Sequence, residues 1–359
     1  MTSDDAASTT SEEGIMDLDN MFPEPERPAT PPPTIHTYTS PLLTHYIPHS
    51  SSSTGPTSAP SLTVQLVGSN PLWGHVLWNA GVSLSDYFLT QAAHSGSTGT
   101  PGTGPDSPTR ERNPIKGTTV LELGAGGGLP SLICGVLGAR KVVITDYPED
   151  VLLDNLRWNV VENGRILGQA LQRSDCAVED ESAAEMVRTW DERMVVAGHL
   201  WGKNTEELLD IISNVPTQSL SATPPPPPLT ASQRKYDILI LSDLIFNHSQ
   251  HSALLNSCEA LITPLTGKAY VFHSHHLPQY YLRDLGFFSL AKERGWVVRR
   301  VVKERRGVMF QEDEGDEEKR ATVWGWEMCF GGPGGKGRWE REEHSQGLGE
   351  VMDALVAGS

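Results

Sequence analysis

Cysteine is scarce in this chain. Four cysteines are spread through 359 residues, and no two form a C-x-x-C pair. Cys134, Cys176, Cys258 and Cys329 stand too far apart for a disulfide framework, so they read as reduced thiols of an intracellular protein. Basic charge is also short: 28 Lys and Arg face 45 Asp and Glu, a net charge of −17. Nucleic-acid binders need a basic face, so direct nucleic-acid binding is not expected. Long apolar runs are missing as well. The run from Ile238 to Phe246 contains Asp243 and is too short to span a bilayer. The N-terminus, Thr2-Ser-Asp-Asp, is polar and acidic and carries no signal or transit peptide. These absences predict a soluble, cytoplasmic protein without membrane contact, expected as a monomer. Its acidic surface suits a basic partner such as a lysine-rich protein segment, or serves solubility alone.

The chain does contain a dense glycine cluster. Val120-Leu-Glu-Leu-Gly-Ala-Gly-Gly-Gly-Leu-Pro130 reads as a buried strand, a sharp turn and a helix start, with Pro130 tolerated in the first helical turn. From Gly117 onward, strand and helix patterns alternate, which implies a doubly wound parallel α/β sheet. Trp296–Val302 and Ala321–Phe330 are expected to close it as an antiparallel hairpin. Residues 1–60, rich in Ser, Thr and Pro, read as a disordered tail. Within that tail, Thr34 to Pro48 carries Tyr38, Leu42, Leu43 and Tyr46 as a docking element. Residues 61–330 form the predicted domain, interrupted by loop insertions at 94–112, 164–193 and 217–234. Residues 331–359 read as a flexible C-terminal tail.

The glycine turn has more than one chemical reading. A dinucleotide fingerprint needs G-x-G-x-x-G, but Leu129 stands at the third position. Asp146 ends the next strand, where a carboxylate can accept both hydroxyls of an adenosine ribose, or cap a turn. Trp201 follows the third strand and can stack on a purine or simply fill the rim. Ser242 and Asp243 end the fourth strand, near the point where strand order reverses; Asp243 is also a candidate helix N-cap. His248, His251, His273, His275 and His276 cluster, but no cysteine or carboxylate spacing accompanies them; they read as substrate-channel or surface histidines, and no metal is expected.

The pattern E-L-G-x-G-x-G resembles motif I of class I S-adenosylmethionine-dependent methyltransferases. With it stand Asn70-Pro-Leu-Trp-Gly-His-Val-Leu-Trp-Asn-Ala-Gly-Val-Ser-Leu-Ser-Asp-Tyr-Phe88, Thr145-Asp-Tyr-Pro148, His199-Leu-Trp-Gly202 and Ser242-Asp-Leu-Ile-Phe-Asn-His248. Together they resemble the seven-β-strand protein lysine methyltransferases, over roughly Leu62 to Phe330. Within them the likeness is to the fungal branch that modifies the N-terminal glycine and adjacent lysine of translation elongation factor 1A. The resemblance implies a seven-stranded Rossmann-like sheet and S-adenosyl-L-methionine as cofactor. It implies that Trp78 covers the cofactor's methionine end, that Gly124, Ala125 and Gly126 cradle it, and that Asp146 holds the ribose. Trp201 and Ser242 would border the adenine. Asp243 and Phe246 match D-x-x-[YF] and would line the acceptor-amine channel, with Asp243 orienting the amine and helping to remove its proton. The rival readings are a nicotinamide-like small-molecule N-methyltransferase, a non-catalytic cofactor-binding module, and an NAD-linked oxidoreductase, which Leu129 disfavours.

Overall fold

The computed structural model describes residues 31–47, 60–71, 74–94, 113–173, 181–213, 235–311, 315–332 and 338–339. The described chain opens with an antiparallel ribbon, β1 (Thr34–Thr39) and β2 (Ser61–Leu66). Helix α1 (Asn79–His94) precedes β3 (Thr119–Leu123), α2 (Leu129–Val136), β4 (Lys141–Asp146) and α3 (Asp150–Arg173). Then come α4 (Glu181–Arg188), α5 (Trp190–Arg193), β5 (Met194–Gly198), α6 (Glu206–Ser213), β6 (Ile238–Ser242) and α7 (His251–Leu261). The last elements are β7 (Lys268–Ser274), α8 (Tyr281–Glu293), β8 (Trp296–Arg305), α9 (Glu317–Ala321), β9 (Thr322–Phe330) and β10 (Arg338–Trp339).

The main sheet runs β10-β8-β9-β7-β6-β3-β4-β5. Strands β5, β4, β3, β6 and β7 are parallel, and β9 runs antiparallel between β7 and β8. Apart from the two-residue β10, this is the expected seven-stranded, doubly wound sheet with its C-terminal hairpin. Chain order reverses between β3 and β6, so their C-terminal ends flank the crevice where such sheets bind ligands. Every residue of β3 is buried, because helices cover both faces. Val120 points into the core beneath α1, α2 and the ribbon, whereas Leu121 and Leu123 point into the core beneath α7 and α8.

Several sequence expectations need correction. Residues 31–47 of the expected disordered tail are ordered. Within it, β1 pairs with β2, and Tyr38, Leu43 and Ile47 are buried. A few large side chains suffice, because a paired strand needs only one apolar face; the Tyr38 phenol also donates to the Asp86 carboxylate. Within the expected 164–193 insertion the described residues are largely helical: α3 continues through Gly164 to Arg173, and α4 and α5 pack against it. Gly164 sits where the Trp190 ring crosses α3; a Cβ there would stand 2.7 Å from Trp190 Cδ1. Trp190 is buried and its indole donates to the Val160 carbonyl at 2.9 Å. The glycine thus marks a close approach, not a helix end. Between β8 and β9, α9 is started by the Asp316 side chain accepting from the Lys319 amide. The C-terminal tail contributes β10, parallel to β8. Residues 95–112 and 214–234, which hold the other two predicted insertions, lie outside the described residues, as does Cys176. Cys134, Cys258 and Cys329 are free thiols. No helix among the described residues is long and apolar enough to cross a membrane.

Candidate active site

The glycine turn leaves β3 through left-handed backbone: φ is 61° at Gly124 and 55° at Gly126. A Cβ on Gly124 would stand 2.7 Å from Leu244 Cδ2 and 3.1 Å from Trp201 Cζ2, so the turns after β3, β5 and β6 meet there. A Cβ on Gly126 would meet nothing within 4 Å, and this backbone faces an open cavity. The turn is tied from behind by α3. Asn155, Asn159 and Asn163 lie four residues apart on one helix face and exchange hydrogen bonds with the β2 backbone at Thr63 and Gln65. The Asn159 amide also donates to the Gly127 carbonyl at 3.0 Å. The ribbon and the glycine turn therefore share one anchor.

Asp146 closes the turn from the neighbouring strand. Its Oδ2 accepts the Gly126 N–H and its Oδ1 accepts the Tyr147 N–H, both at 2.7 Å. Burial raises its pKa and these two amides oppose the shift without cancelling it. The alternative of a local turn cap does not account for a contact reaching back twenty residues. Glu122, within β3, is wholly buried. Its Oε2 accepts the Ser131 N–H at 3.2 Å, while its Oε1 has no hydrogen-bond partner. Burial pushes its pKa up to about 8.

The turn after β5 is pinned by Ser257, a buried residue of α7. Its hydroxyl lies 2.9 Å from His199 Nε2 and accepts the Gly202 N–H at 2.8 Å. His199 N–H also bonds the Asp146 carbonyl. Trp201, held between these points, packs partly on the core and partly lines the cavity, which joins the two sequence readings of it.

The opposite end is built differently. Asp243 has φ 57°, a backbone region that costs a non-glycine residue about 1–3 kcal/mol. It persists because the Asp243 N–H is fixed on the Phe272 carbonyl at 2.8 Å. The carboxylate consequently crosses the end of β7, with Oδ2 3.0 Å from His276 Nε2 and Oδ1 3.4 Å from the Ser274 N–H. Neither partner belongs to a helix start, so the N-cap reading of Asp243 fails. Trp78 packs against His276, ring centroids 4.5 Å apart, and edge-on against Phe310 at 5.8 Å. It thus stands beside the Asp243 end of the cavity. Phe246 is 39% exposed at the mouth. The remaining clustered histidines are engaged elsewhere. His248 and His275 share the two oxygens of buried Asp284, His251 meets the Ile245 carbonyl, and His273 meets the Trp326 indole. Among the described residues, no three potential ligands converge on a metal site.

All nine residues singled out from the sequence line one cavity of about 540 Å³: Trp78, Gly124, Ala125, Gly126, Asp146, Trp201, Ser242, Asp243 and Phe246. That volume suits a cofactor-sized ligand. Sequence reasoning missed Glu122 as a wall residue, although its place in the strand before the glycines signalled it. His276 was legible only as one of a run of substrate-channel or surface histidines, and its contact with Asp243 was not. Among the described residues, three carboxyl groups, Glu122, Asp146 and Asp243, and one lysine, Lys203, line the space.

Residues 58–197 match a family described as lysine methyltransferase. EFM7 of Cryptococcus neoformans, named a protein N-terminal and lysine N-methyltransferase, is 37% identical over 89% of this chain and 90% of its own length. The proteins of the same name from Schizosaccharomyces pombe and Kluyveromyces lactis are 33% and 34% identical. Each match spans 86% of this chain and 94% of the relative.

Proposed function

The chain belongs to the family of protein N-terminal and lysine N-methyltransferases, and on that premise we propose that it modifies the N-terminal glycine and adjacent lysine of translation elongation factor 1A in the cytoplasm. The observation that carries the reading is the convergence of Asp243 and Phe246 with the glycine turn, Asp146 and Trp201 on one cavity. The residues present fit S-adenosylmethionine, the methyl donor of this family. The open backbone at Gly126, the buried Glu122 Oε1 without a partner and the carboxylate at the end of β4 are the features that such a ligand uses. When bound, it supplies an electrophilic methyl on a sulfonium.

The protein's own task is to bind, orient and deprotonate. Gly124, Ala125 and Gly126 offer backbone to the methionine portion. Asp146 accepts from the ribose through the lone pairs left beside its amide bonds, and Trp201 and Ser242 border the adenine. At the other end, Asp243 holds the acceptor ammonium and takes its proton, because only the neutral amine has a lone pair to give. An α-amine, with a reference pKa near 8, needs less help than a lysine near 10.4. Phe246 flanks that amine and excludes water, and Trp78 covers the methionine end of the donor beside it.

Tritiated S-adenosylmethionine incubated with the enzyme and purified elongation factor 1A should label the factor's N-terminal segment. Label in nicotinamide and in no protein would overturn the proposal.

A further inference from the structure

His276 makes the shorter of the two contacts that hold the Asp243 carboxylate. Its Nε2 lies 3.0 Å from Asp243 Oδ2, whereas the Ser274 N–H stands 3.4 Å from Oδ1. An ionised carboxylate only accepts, so the proton of this bond belongs to His276 Nε2. The ring is itself held: its side chain is 13% exposed and packs against Trp78 at 4.5 Å. Asp243 is 4% exposed and sits in strained left-handed backbone, so the backbone alone offers it no relaxed position.

Resting on the acceptor-side reading of Asp243, we propose that His276 is a positioning residue that fixes the Asp243 carboxylate, through an Nε2–H donor, toward the incoming amine. The imidazole clamps one oxygen and leaves the remaining lone pairs of the carboxylate to the ammonium. Trp78 sets the plane of the imidazole and thereby links the wall of the cavity to the geometry of the base. In the deprotonation step an N–H bond of the ammonium breaks and an O–H bond forms on Asp243; His276 keeps its own proton throughout. Displacing such a group by about 1 Å costs on the order of 100-fold in rate.

Two substitutions separate the donor from the bulk. His276→Leu keeps mass against Trp78 and removes the donor; His276→Gln restores an N–H near the Nε2 position. With a synthetic peptide beginning Gly-Lys as acceptor, kcat should fall about 10- to 100-fold in the Leu variant and return to within about threefold of the parent in the Gln variant. The Kd for S-adenosylmethionine, read by calorimetry, should be unchanged in both. A Leu variant with parental kcat, a Gln variant as slow as Leu, or a weakened cofactor Kd in the Leu variant overturns the inference. NMR of the unliganded protein tests it without any substrate: nitrogen shifts of His276 must report the Nε2–H form, and an Nδ1–H form overturns it. If the parent enzyme fails to label the peptide, the substrate assignment falls, and the tautomer still decides the role of His276.

Discussion

The two ends of the cavity are held together by different kinds of contact. At the glycine-turn end, backbone is fastened by side chains from behind: Asp146 grips the Gly126 amide, and Asn159 grips the Gly127 carbonyl. At the other end, side chain is fastened by side chain: His276 grips Asp243, and Trp78 packs on His276. Backbone held from outside presents one surface whatever its neighbours are, which suits a ligand that is the same in every turnover. A carboxylate held by a ring held by another ring can be re-aimed by single substitutions, which suits the end proposed to receive the acceptor amine. The comparison predicts that the two ends fail separately.

The sharpest test is Asp243→Ala. It removes the proposed proton acceptor while leaving the Asp146 and Asn159 contacts of the glycine turn in place. Turnover should fall about 100- to 10,000-fold, the usual range for loss of a general base. The calorimetric Kd for S-adenosylmethionine should stay within about threefold. A large loss of cofactor affinity would mean that the two ends are one unit. The reciprocal substitution, Asp146→Ala, frees the Gly126 and Tyr147 amides. Charge-assisted bonds of this type contribute roughly 1.5–3 kcal/mol each, so cofactor affinity should drop about 10- to 100-fold, with kcat at saturating cofactor nearly retained. A loss confined to kcat would reverse the roles assigned to the two ends.

This division also explains what could be read in advance. The parallel strands are continuous apolar runs, and ligand groups in doubly wound sheets gather at strand ends. Asp146, Trp201 and Asp243 could therefore be located from periodicity alone. The ribbon was harder. Five of the six residues of β1 are exposed, so the strand has no alternation to detect and depends on pairing with β2 and on Tyr38. The α3–α5 region was hidden for the opposite reason: Gly164 looks like a break until Trp190 is known to lie across it. The Asp243–His276 pair spans 33 residues and two strand ends. No local pattern encodes it, because only the sheet order and the left-handed turn at Asp243 bring the two together.

The smallest expected effect lies in Glu122, behind the glycine turn. Its carboxyl is buried and one oxygen has no partner, so the folded protein holds its proton up to about pH 8, against the ordinary glutamate value near 4.5. Between those values the native state binds more protons than the unfolded chain, and stability falls as pH rises. The proton-linked contribution is complete below pH 4.5 and disappears as pH rises through 8. Glu122→Gln stays neutral throughout and has no such slope. Between pH 6 and pH 7 the parent protein should therefore lose about 1 kcal/mol more of its unfolding free energy than the variant, read by urea unfolding, close to the limit for one proton. Parallel pH dependences would show that Glu122 is already ionised in the fold. The glycine-turn end would then carry two fixed negative charges, Glu122 and Asp146, and would be held by charge as much as by backbone.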